Sequence, residues 1–212
     1  MARSLYILRH GETLFNVQHK TQGFCDSPLT ECGFEQARLA GLMLKGLGLE
    51  FDGIFCSTSE RCSDTLELAF EAGWGKVPPY VRMKGLKEHN FGAFEGKDQF
   101  LERFPHADFY KAYGGETDDE ALERYVAALD ECMATGADTV LAVTHGGVNA
   151  MLFCTVMPNP EPGTVPFGNC ICYHYEYDEG LPGMERFRWI ETLVPDLSSL
   201  DREGLPPQVM WR

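Results

Sequence analysis

Long apolar runs are missing from this sequence of 212 residues. None approaches the ~18 residues of a membrane span, and residues 1–4 lead directly into a short strand-like segment without a signal-peptide core. We therefore expect no membrane association and a cytoplasmic location. C-x-x-C pairs are also absent, although the chain has 8 cysteines. Their spacing does not indicate a zinc site, and in a reducing compartment we expect mostly buried free thiols.

Basic residues are scarce as well. The chain has 18 Lys and Arg against 32 Asp and Glu, a formal charge of -14. This balance disfavours nucleic acid as a partner, because like charges repel. An anionic substrate would need the few cations concentrated in one cleft. Apolar residues at 44% and charged residues at 24% are close to globular averages. With no internal repeat, low-complexity stretch or long linker, we expect residues 1–212 to form a single domain.

Short apolar runs alternate with helical patterns over most of the chain. The runs predicted to be buried strands are Leu5–Leu8, Ile54–Phe55 and Thr139–Val143. The helical patterns occupy residues 31–45 and 59–70, and a third begins at Thr117, whose side chain and Glu120 have the spacing of a capping box. This alternation predicts an α/β fold: a three-layer sandwich with a mostly parallel central sheet flanked by helices.

The last part of the chain departs from this alternation. Ile171–Tyr177 and Phe187–Glu191 are joined by a segment rich in turn residues and predict an antiparallel edge hairpin. The free edge of that hairpin offers a contact surface for a homodimer. Residues 195–212 show no periodicity and are predicted to be an irregular tail.

Two predicted strands end in similar sequences, Arg9–Gly11 and His145–Gly147. Ligands of open α/β sheets lie at the carboxyl ends of the strands, so we expect both histidines to face one crevice. The glycines after the histidines, Gly11 and Gly146, let the backbone approach a ligand closely. A helix beginning near Gly147 would direct free N–H groups toward an anion.

Two arginines supply positive charge to the same crevice. Arg9 lies at the end of the first strand, and Arg61 lies in the first turn of a helix for which Ser57 or Ser59 is the expected N-cap. We expect each guanidinium to give paired hydrogen bonds to phosphoryl oxygens. The sequence therefore predicts a phosphate site.

An imidazole attacks phosphorus only as a neutral base, and the leaving oxygen then needs a proton from an acid. His10 is the candidate nucleophile. Glu88 is the candidate acid, in a glycine- and aromatic-containing segment that predicts a shaped loop, although its position alone does not single it out. A lone histidine at a strand end is usually structural. The pairing of His10 and His145 with two arginines favours the catalytic interpretation.

In their order along the chain, these residues resemble the histidine phosphatase superfamily, which includes cofactor-dependent phosphoglycerate mutases, fructose-bisphosphatases and α-ribazole phosphatases. The matching blocks are Arg9–Thr13, Asn16, Gln22–Gly23, Asp26–Thr30, Gly33, Gln36–Ala37, Ser57–Arg61, Thr65, Glu88–Gly96, Gly114–Thr117 and His145–Gly147. A single Arg-His-Gly triplet is a weak signal, but this ordered set is specific. The departures are small: Cys62 stands where alanine is common, and Phe94 where tryptophan is frequent.

The resemblance implies that His10 is phosphorylated, that Arg9, Arg61 and His145 hold the phosphoryl oxygens, and that Glu88 donates the proton. It also implies that no metal ion and no organic cofactor is needed. The further residues expected to line the phosphate pocket are Asn16, Gln22, Gly23 and Gly146.

Several functions remain open at this point. We favour a phosphomonoester hydrolase acting on a small phosphorylated metabolite, because residues 89–115 contain only three Lys or Arg, whereas the cofactor-dependent mutases carry a longer basic insertion there. A cofactor-dependent phosphoglycerate mutase is the second choice. A non-catalytic phospho-ligand binding protein would keep only the residues that hold the phosphate. A metal hydrolase would use the same side chains as metal ligands, although no H-E-x-x-H motif is present.

Other polar and aromatic residues are interpreted more plainly. Residues 91–113 contain many aromatic side chains, which predict a small satellite core and, as an alternative, a lid over the site. Glu116 is interpreted as part of the acidic run before the capping box rather than as a neighbour of the site. His89 is interpreted as a surface or hydrogen-bonded residue.

Overall fold

One six-stranded sheet organises the computed structural model, which describes residues 3–99, 108–157, 167–198 and 200. The strands are β1 (Arg3–Arg9), β2 (Gly53–Ser57), β3 (Val81–Met83), β4 (Thr139–Thr144), β5 (Cys172–Tyr177) and β6 (Phe187–Leu193). Their order in the sheet is β3-β2-β4-β1-β5-β6. The first four strands in this order are parallel, while β5 pairs antiparallel with β1 and β6 with β5. The predicted parallel sheet with an antiparallel edge hairpin is confirmed.

Helices cover both faces of the sheet. They are α1 (Leu14–Val17), α2 (Glu31–Gly46), α3 (Glu60–Trp74), α4 (Asp118–Met133) and α5 (Gly146–Val156), with short 3-10 helices at Lys84–Leu86, Gly92–Phe94, Phe109–Tyr113 and Gly183–Arg186. The capping box of α4 forms as predicted: the side chain of Thr117 accepts the Glu120 N–H, and the Glu120 carboxylate accepts the Thr117 N–H. In the part of the chain described here, no helix is both long and apolar enough to cross a bilayer.

Side chains along β1 point alternately to the two faces of the sheet, and each face packs against its own core layer. Leu5 and Ile7 pack with α4 and α5, whereas Tyr6 and Leu8 pack with α2 and α3. This is the period of two expected of a strand that is covered on both faces. The three-layer sandwich is therefore confirmed.

The close contact between α2 and α3 places the start of α3 beside the sheet. A Cβ atom on Gly41 would lie 1.9 Å from the carbonyl oxygen of Ala69, so only glycine lets the two helices approach this closely. Helix α3 carries Arg61 in its first turn.

Some predictions need correction or lie outside the described residues. Strand β3 is not predicted, because it has only three residues, two of them exposed. Neither serine caps α3 with its side chain: Ser59 occupies the N-cap position without a side-chain bond, and Asp26 Oδ2 accepts the Glu60 N–H at 2.5 Å. Residues 199 and 201–212 of the predicted tail and residues 100–107 of the aromatic segment lie outside the described ranges. The single domain over residues 1–212 stays a prediction.

Candidate active site

The carboxyl ends of β1 and β4 bring two distant histidines together. These strands pair in parallel with Arg9 opposite Thr144, so the next residues, His10 and His145, leave the sheet at the same edge. The His10 N–H donates to the Thr144 carbonyl at 3.0 Å, and the two imidazole centroids lie 5.4 Å apart. The histidines therefore share one crevice, as the matching strand ends predict.

His10 has the protonation pattern of a nucleophile. Its Nδ1 lies 2.8 Å from the carbonyl oxygen of Gly11. Because a carbonyl oxygen can only accept, Nδ1 carries the proton and Nε2 keeps its lone pair. Burial, followed by the charges of Arg61 and Arg9, lowers the pKa of His10 well below its usual value. The ring is therefore neutral at ordinary pH, as attack on phosphorus requires.

His145 is held from both sides. NH2 of Arg61 lies 2.8 Å from Nδ1 of His145, and Ser57 Oγ lies 2.8 Å from Nε2. A guanidinium can only donate, so Nδ1 accepts and Nε2 donates its proton to Ser57. Burial, then the positive charge of Arg61, lowers the pKa of His145 well below its usual value. His145 thus lies in the crevice as a neutral, oriented imidazole.

Arg61 is almost completely buried and most of its hydrogen atoms are already bonded. NH1 donates to the Cys25 carbonyl at 2.9 Å and to Asp26 Oδ1 at 2.8 Å, and NH2 donates to the Gly23 carbonyl at 2.9 Å besides His145. A guanidinium has five N–H groups, and only Nε–H is buried without a partner among the described residues. Paired hydrogen bonds from Arg61 to one anion, as the sequence predicts, would therefore require breaking one of these contacts.

Arg9 contributes a second free donor. Its NH1 donates to the carbonyl oxygen of Phe167, while its Nε is buried and, within the described ranges, has no partner. Burial lowers the pKa of Arg9 although the nearby Glu88 opposes that shift. Gly146 allows the approach of Arg9, since a Cβ there would lie 2.9 Å from the Arg9 Nε. Each guanidinium thus keeps one buried N–H without a partner among the described residues, and both charges act on His10, which suits the site to an anion.

Glu88 occupies the N-terminus of α5. Its Oε2 accepts the Gly147 N–H at 2.7 Å, and its Oε1 accepts the N–H groups of Val148 and His89, both at 2.9 Å. The prediction that the N–H groups near Gly147 face the substrate is therefore wrong in this arrangement. The buried Glu88 carboxylate is the anion that the helix terminus holds. Since a carboxylate has about four acceptor positions, Oε2 keeps one free for a proton shared with a substrate.

Asn16 and Gln22 are fixed beside the same edge. Asn16 Oδ1 accepts from the Thr13 N–H at 3.1 Å and from Asn169 Nδ2 at 3.2 Å. Asn169 Nδ2 also donates to the His10 carbonyl at 3.1 Å, so Asn169 connects Asn16 to the backbone of the nucleophile. Gln22 Oε1 accepts the Thr13 hydroxyl at 2.7 Å. Their predicted contact with phosphate stays a prediction.

Gly23 reaches the crevice through Arg61. Its carbonyl accepts from Arg61, whereas its N–H donates to Glu95 Oε2 at 3.1 Å. A Cβ on Gly23 would lie 2.1 Å from the His89 carbonyl oxygen, so no side chain fits at this position. The Gly23 N–H is thus already bonded to a carboxylate, and the predicted place of Gly23 in the phosphate pocket stays a prediction.

The interpretation of Glu116 as a member of the acidic run is wrong. Its carboxylate accepts from Nε of Arg124 at 2.7 Å and from the Asn90 N–H at 3.0 Å. Arg124 NH2 also donates to the Glu88 carbonyl at 3.0 Å. Burial alone raises the pKa of Glu116, but the bonds and charge of Arg124 outweigh it and lower the pKa. Glu116 therefore supports the loop that carries Glu88.

Aromatic packing is present beyond that loop. Phe94, Phe109 and Tyr113 pack with centroid distances of 5.1 to 5.2 Å, which agrees with the predicted satellite core. His89 is fully buried rather than on the surface. Its Nε2 lies 3.3 Å from Asp118 Oδ1, a contact without hydrogen-bond geometry. In the ranges that the structure covers, no three His, Cys, Asp or Glu side chains are arranged to hold a metal ion.

Known proteins resemble this chain in sequence and in fold. The family model of the histidine phosphatase superfamily (branch 1) matches residues 5–190. A broad-specificity phosphatase of Saccharomyces cerevisiae is 31% identical over 156 residues, which cover 70% of this chain and 67% of the relative. A 2,3-bisphosphoglycerate-dependent phosphoglycerate mutase of Beijerinckia indica is 29% identical over 208 residues, which cover 91% and 96%. The crystal structure of a phosphoglycerate mutase from Bacillus anthracis matches with a TM-score of 0.73 at 26% identity, covering 85% and 90% of the two chains.

Proposed function

Because the chain belongs to branch 1 of the histidine phosphatase superfamily, we propose that it hydrolyses phosphate monoesters of small metabolites through a phosphohistidine on His10. The observation that carries this proposal is the hydrogen bond from His10 Nδ1–H to the Gly11 carbonyl at 2.8 Å. It leaves the Nε2 lone pair free in a crevice that also holds two guanidiniums. A neutral imidazole beside fixed positive charge is suited to attack a phosphoryl group.

In the first half of the reaction, His10 Nε2 forms a bond to phosphorus as the bond from phosphorus to the leaving oxygen breaks. Glu88 Oε2 receives a proton at its free acceptor position when the monoanionic ester binds, and it gives that proton to the leaving oxygen. The Nε–H groups of Arg9 and Arg61 stabilise the charge on the non-bridging oxygens. The first product is an alcohol, and the phosphoryl group remains on His10.

In the second half, water attacks the phosphoryl group and the bond between phosphorus and His10 breaks. Glu88, now a carboxylate, takes a proton from the water, which follows from microscopic reversibility. The free acceptor position on Glu88 Oε2 suits this step. Inorganic phosphate leaves with His10 and Glu88 in their starting states, so water is the only co-reactant and no metal ion is part of the proposal.

Sparse positive charge beyond the crevice supports a phosphatase over a mutase. A mutase must bind a second anionic group of a phosphoglycerate, and residues 89–115 contain only Lys97, Arg103 and Lys111. Lys111 is paired with Glu120, and Arg103 lies outside the described residues. The similarity to a broad-specificity phosphatase agrees with this choice. A cytoplasmic location, no nucleic-acid or membrane partner and a homodimer through the hairpin edge remain parts of the proposal.

A phosphoglycerate mutase is the second candidate function. It is favoured by the 29% identity to a bisphosphoglycerate-dependent mutase over 96% of that protein. Both candidates would use the same phosphohistidine, but a mutase would protect it from water until it is passed back to a phosphoglycerate.

The deciding experiment measures phosphate release from a panel of phosphate esters, together with isomerisation of 3-phosphoglycerate primed by 2,3-bisphosphoglycerate. We expect hydrolysis of several esters and weak isomerisation, with an acid-labile phosphoryl label on the protein. His10→Ala should lower turnover by about a thousandfold or more. Efficient primed isomerisation with negligible hydrolysis would establish the mutase instead. Unchanged turnover in His10→Ala, or reversible inactivation by a chelator, would refute the proposed mechanism.

A further inference from the structure

The carboxylate of Glu95 gathers hydrogen bonds from two separate loops. Its Oε2 accepts the N–H groups of Gly23 at 3.1 Å and Cys25 at 2.9 Å. Its Oε1 accepts those of Phe24 at 2.8 Å and Phe91 at 3.0 Å. These four bonds fill the acceptor positions of a carboxylate. Glu95 is therefore engaged with the backbone and has no position left for a substrate.

The opposite side of the same loop holds Arg61. NH2 of Arg61 donates to the Gly23 carbonyl, and NH1 donates to the Cys25 carbonyl, both at 2.9 Å. The peptide group between Gly23 and Phe24 thus has its N–H on a carboxylate and its carbonyl on a guanidinium. Opposite charges at the two ends of one peptide dipole strengthen both hydrogen bonds.

We propose that Glu95 is a positioning residue, which acts through the backbone of Gly23–Cys25 to hold Arg61 in the orientation that leaves its Nε–H free for a phosphoryl oxygen. This inference rests on the proposed function for the identity of the anion. Without the Glu95 charge, the Gly23 carbonyl is free to turn away, and NH2 of Arg61 loses an acceptor. The hydrogen bond from the Phe91 N–H also holds the loop that follows Glu88 against the Glu95 carboxylate. Glu95 therefore stabilises the segments that position both Glu88 and Arg61.

Glu95→Gln is the first variant, because it keeps the size of the side chain and removes its charge. The amide oxygen can accept two of the four N–H groups, while the NH2 group faces the others as a second donor. Inorganic phosphate is the probe, and its dissociation constant is measured by calorimetry beside kcat/KM for the best ester. We expect phosphate binding to weaken by about 10- to 100-fold, as for a lost charge-assisted contact. Glu50→Gln, at an exposed carboxylate paired with Lys45, is the matched control and should change neither quantity.

Repeating the substitution in an Arg61→Ala background separates positioning from general stability. If Glu95 acts through Arg61, Glu95→Gln in that background should weaken phosphate binding by less than about twofold. Equal losses in both backgrounds, or unchanged phosphate affinity in folded Glu95→Gln, would overturn the proposal. If Glu95→Gln does not fold, Glu95→Asp enters the same cycle, and failure of both to fold would show a structural role instead.

The two hypotheses fail in different ways. A wild-type chain that binds phosphate but hydrolyses no ester refutes the proposed hydrolase, while the calorimetric cycle still decides the role of Glu95. A chain that binds no phosphate overturns both.

Discussion

The guanidinium of Arg61 and the imidazole of His145 are hydrogen-bonded to each other, with NH2 2.8 Å from Nδ1. Because arginine can only donate, this contact places the His145 proton on Nε2, where Ser57 Oγ accepts it at 2.8 Å. Two side chains of the crevice therefore orient each other, and a buried hydroxyl completes the arrangement.

Ser57→Ala should leave the buried Nε2–H of His145 with only a weak acceptor, the Cys62 sulfur at 3.6 Å. We expect the free energy of unfolding to fall by about 1–3 kcal/mol. We also expect kcat/KM to fall about tenfold, because a misplaced His145 stabilises the transition state less well. Urea unfolding and steady-state kinetics measure the two effects. Ser63→Ala is the control, because the buried Ser63 hydroxyl donates within α3, to the Glu60 carbonyl at 2.9 Å. Equal losses in the two variants would contradict the assigned role of Ser57.

Strand ends made a large part of the site predictable. Apolar runs locate β1 and β4, and parallel pairing then requires His10 and His145 to emerge at one edge. Neighbours in sequence, such as Arg9 and Gly146, follow from the same reasoning. The position of Arg61 in the first turn of α3 also follows, because a helix must begin after β2.

Contacts between loops were not predictable in this way. Asp26 and Glu95 hold Arg61 directly or through the backbone, yet no periodicity relates their positions to α3. Glu88 takes the N–H groups of α5 that the sequence assigns to a substrate, because a buried carboxylate must find donors and those are the nearest. Strand β3 escapes prediction since it is short and exposed.

Glu88→Gln should separate proton transfer from binding. The amide cannot donate a proton to an alkoxide, so kcat should fall by about 10²- to 10⁴-fold for alkyl phosphates. A nitrophenyl ester has a leaving group that needs little protonation, and its first step should fall much less. Single-turnover kinetics on the two ester types measure the difference. Equal losses for both would contradict the role of Glu88 as the acid.

Glu116→Gln should weaken the support of the Glu88 loop. The variant removes the charge that faces Arg124, which holds the Glu88 carbonyl at 3.0 Å. We expect a loss of about 1–2 kcal/mol in unfolding free energy, because a half-buried ion pair is broken, and a fall of several-fold in kcat. Glu123→Gln, at an exposed position on α4, the helix that carries Arg124, should change neither. A Glu116→Gln variant with wild-type kcat would show that the loop carrying Glu88 keeps its conformation without the Glu116 charge.

Acid should destabilise the folded chain through its two buried histidines. The folded pKa values of His10 and His145 lie well below 6.5, owing first to burial and then to nearby positive charge, whereas an unfolded histidine titrates near ~6.5. Above that pH both states are neutral and these groups leave stability unchanged. Below it the unfolded chain binds protons that the folded chain does not, so the free energy of unfolding falls with pH. The slope approaches about 1.4 kcal/mol per pH unit for each histidine until its folded pKa is reached.

Urea unfolding between pH 7.5 and 5 measures this slope, and His145→Asn identifies its source. Carboxylates also titrate in acid, but they are common to both proteins, so the difference between the two slopes reports His145 alone. The variant should lose about 0.7 kcal/mol per pH unit of the dependence at pH 6.5, approaching about 1.4 kcal/mol per pH unit near pH 5.5. Catalysis provides an independent measurement. Because only neutral His10 can attack and its folded pKa is lowered, kcat/KM should hold through pH 6.5 and fall only well below it. An acid limb at or above pH 6.5 would mean that His10 is charged there in the folded state and is no nucleophile. Equal slopes in the two proteins would mean that the folded chain does not hold His145 neutral.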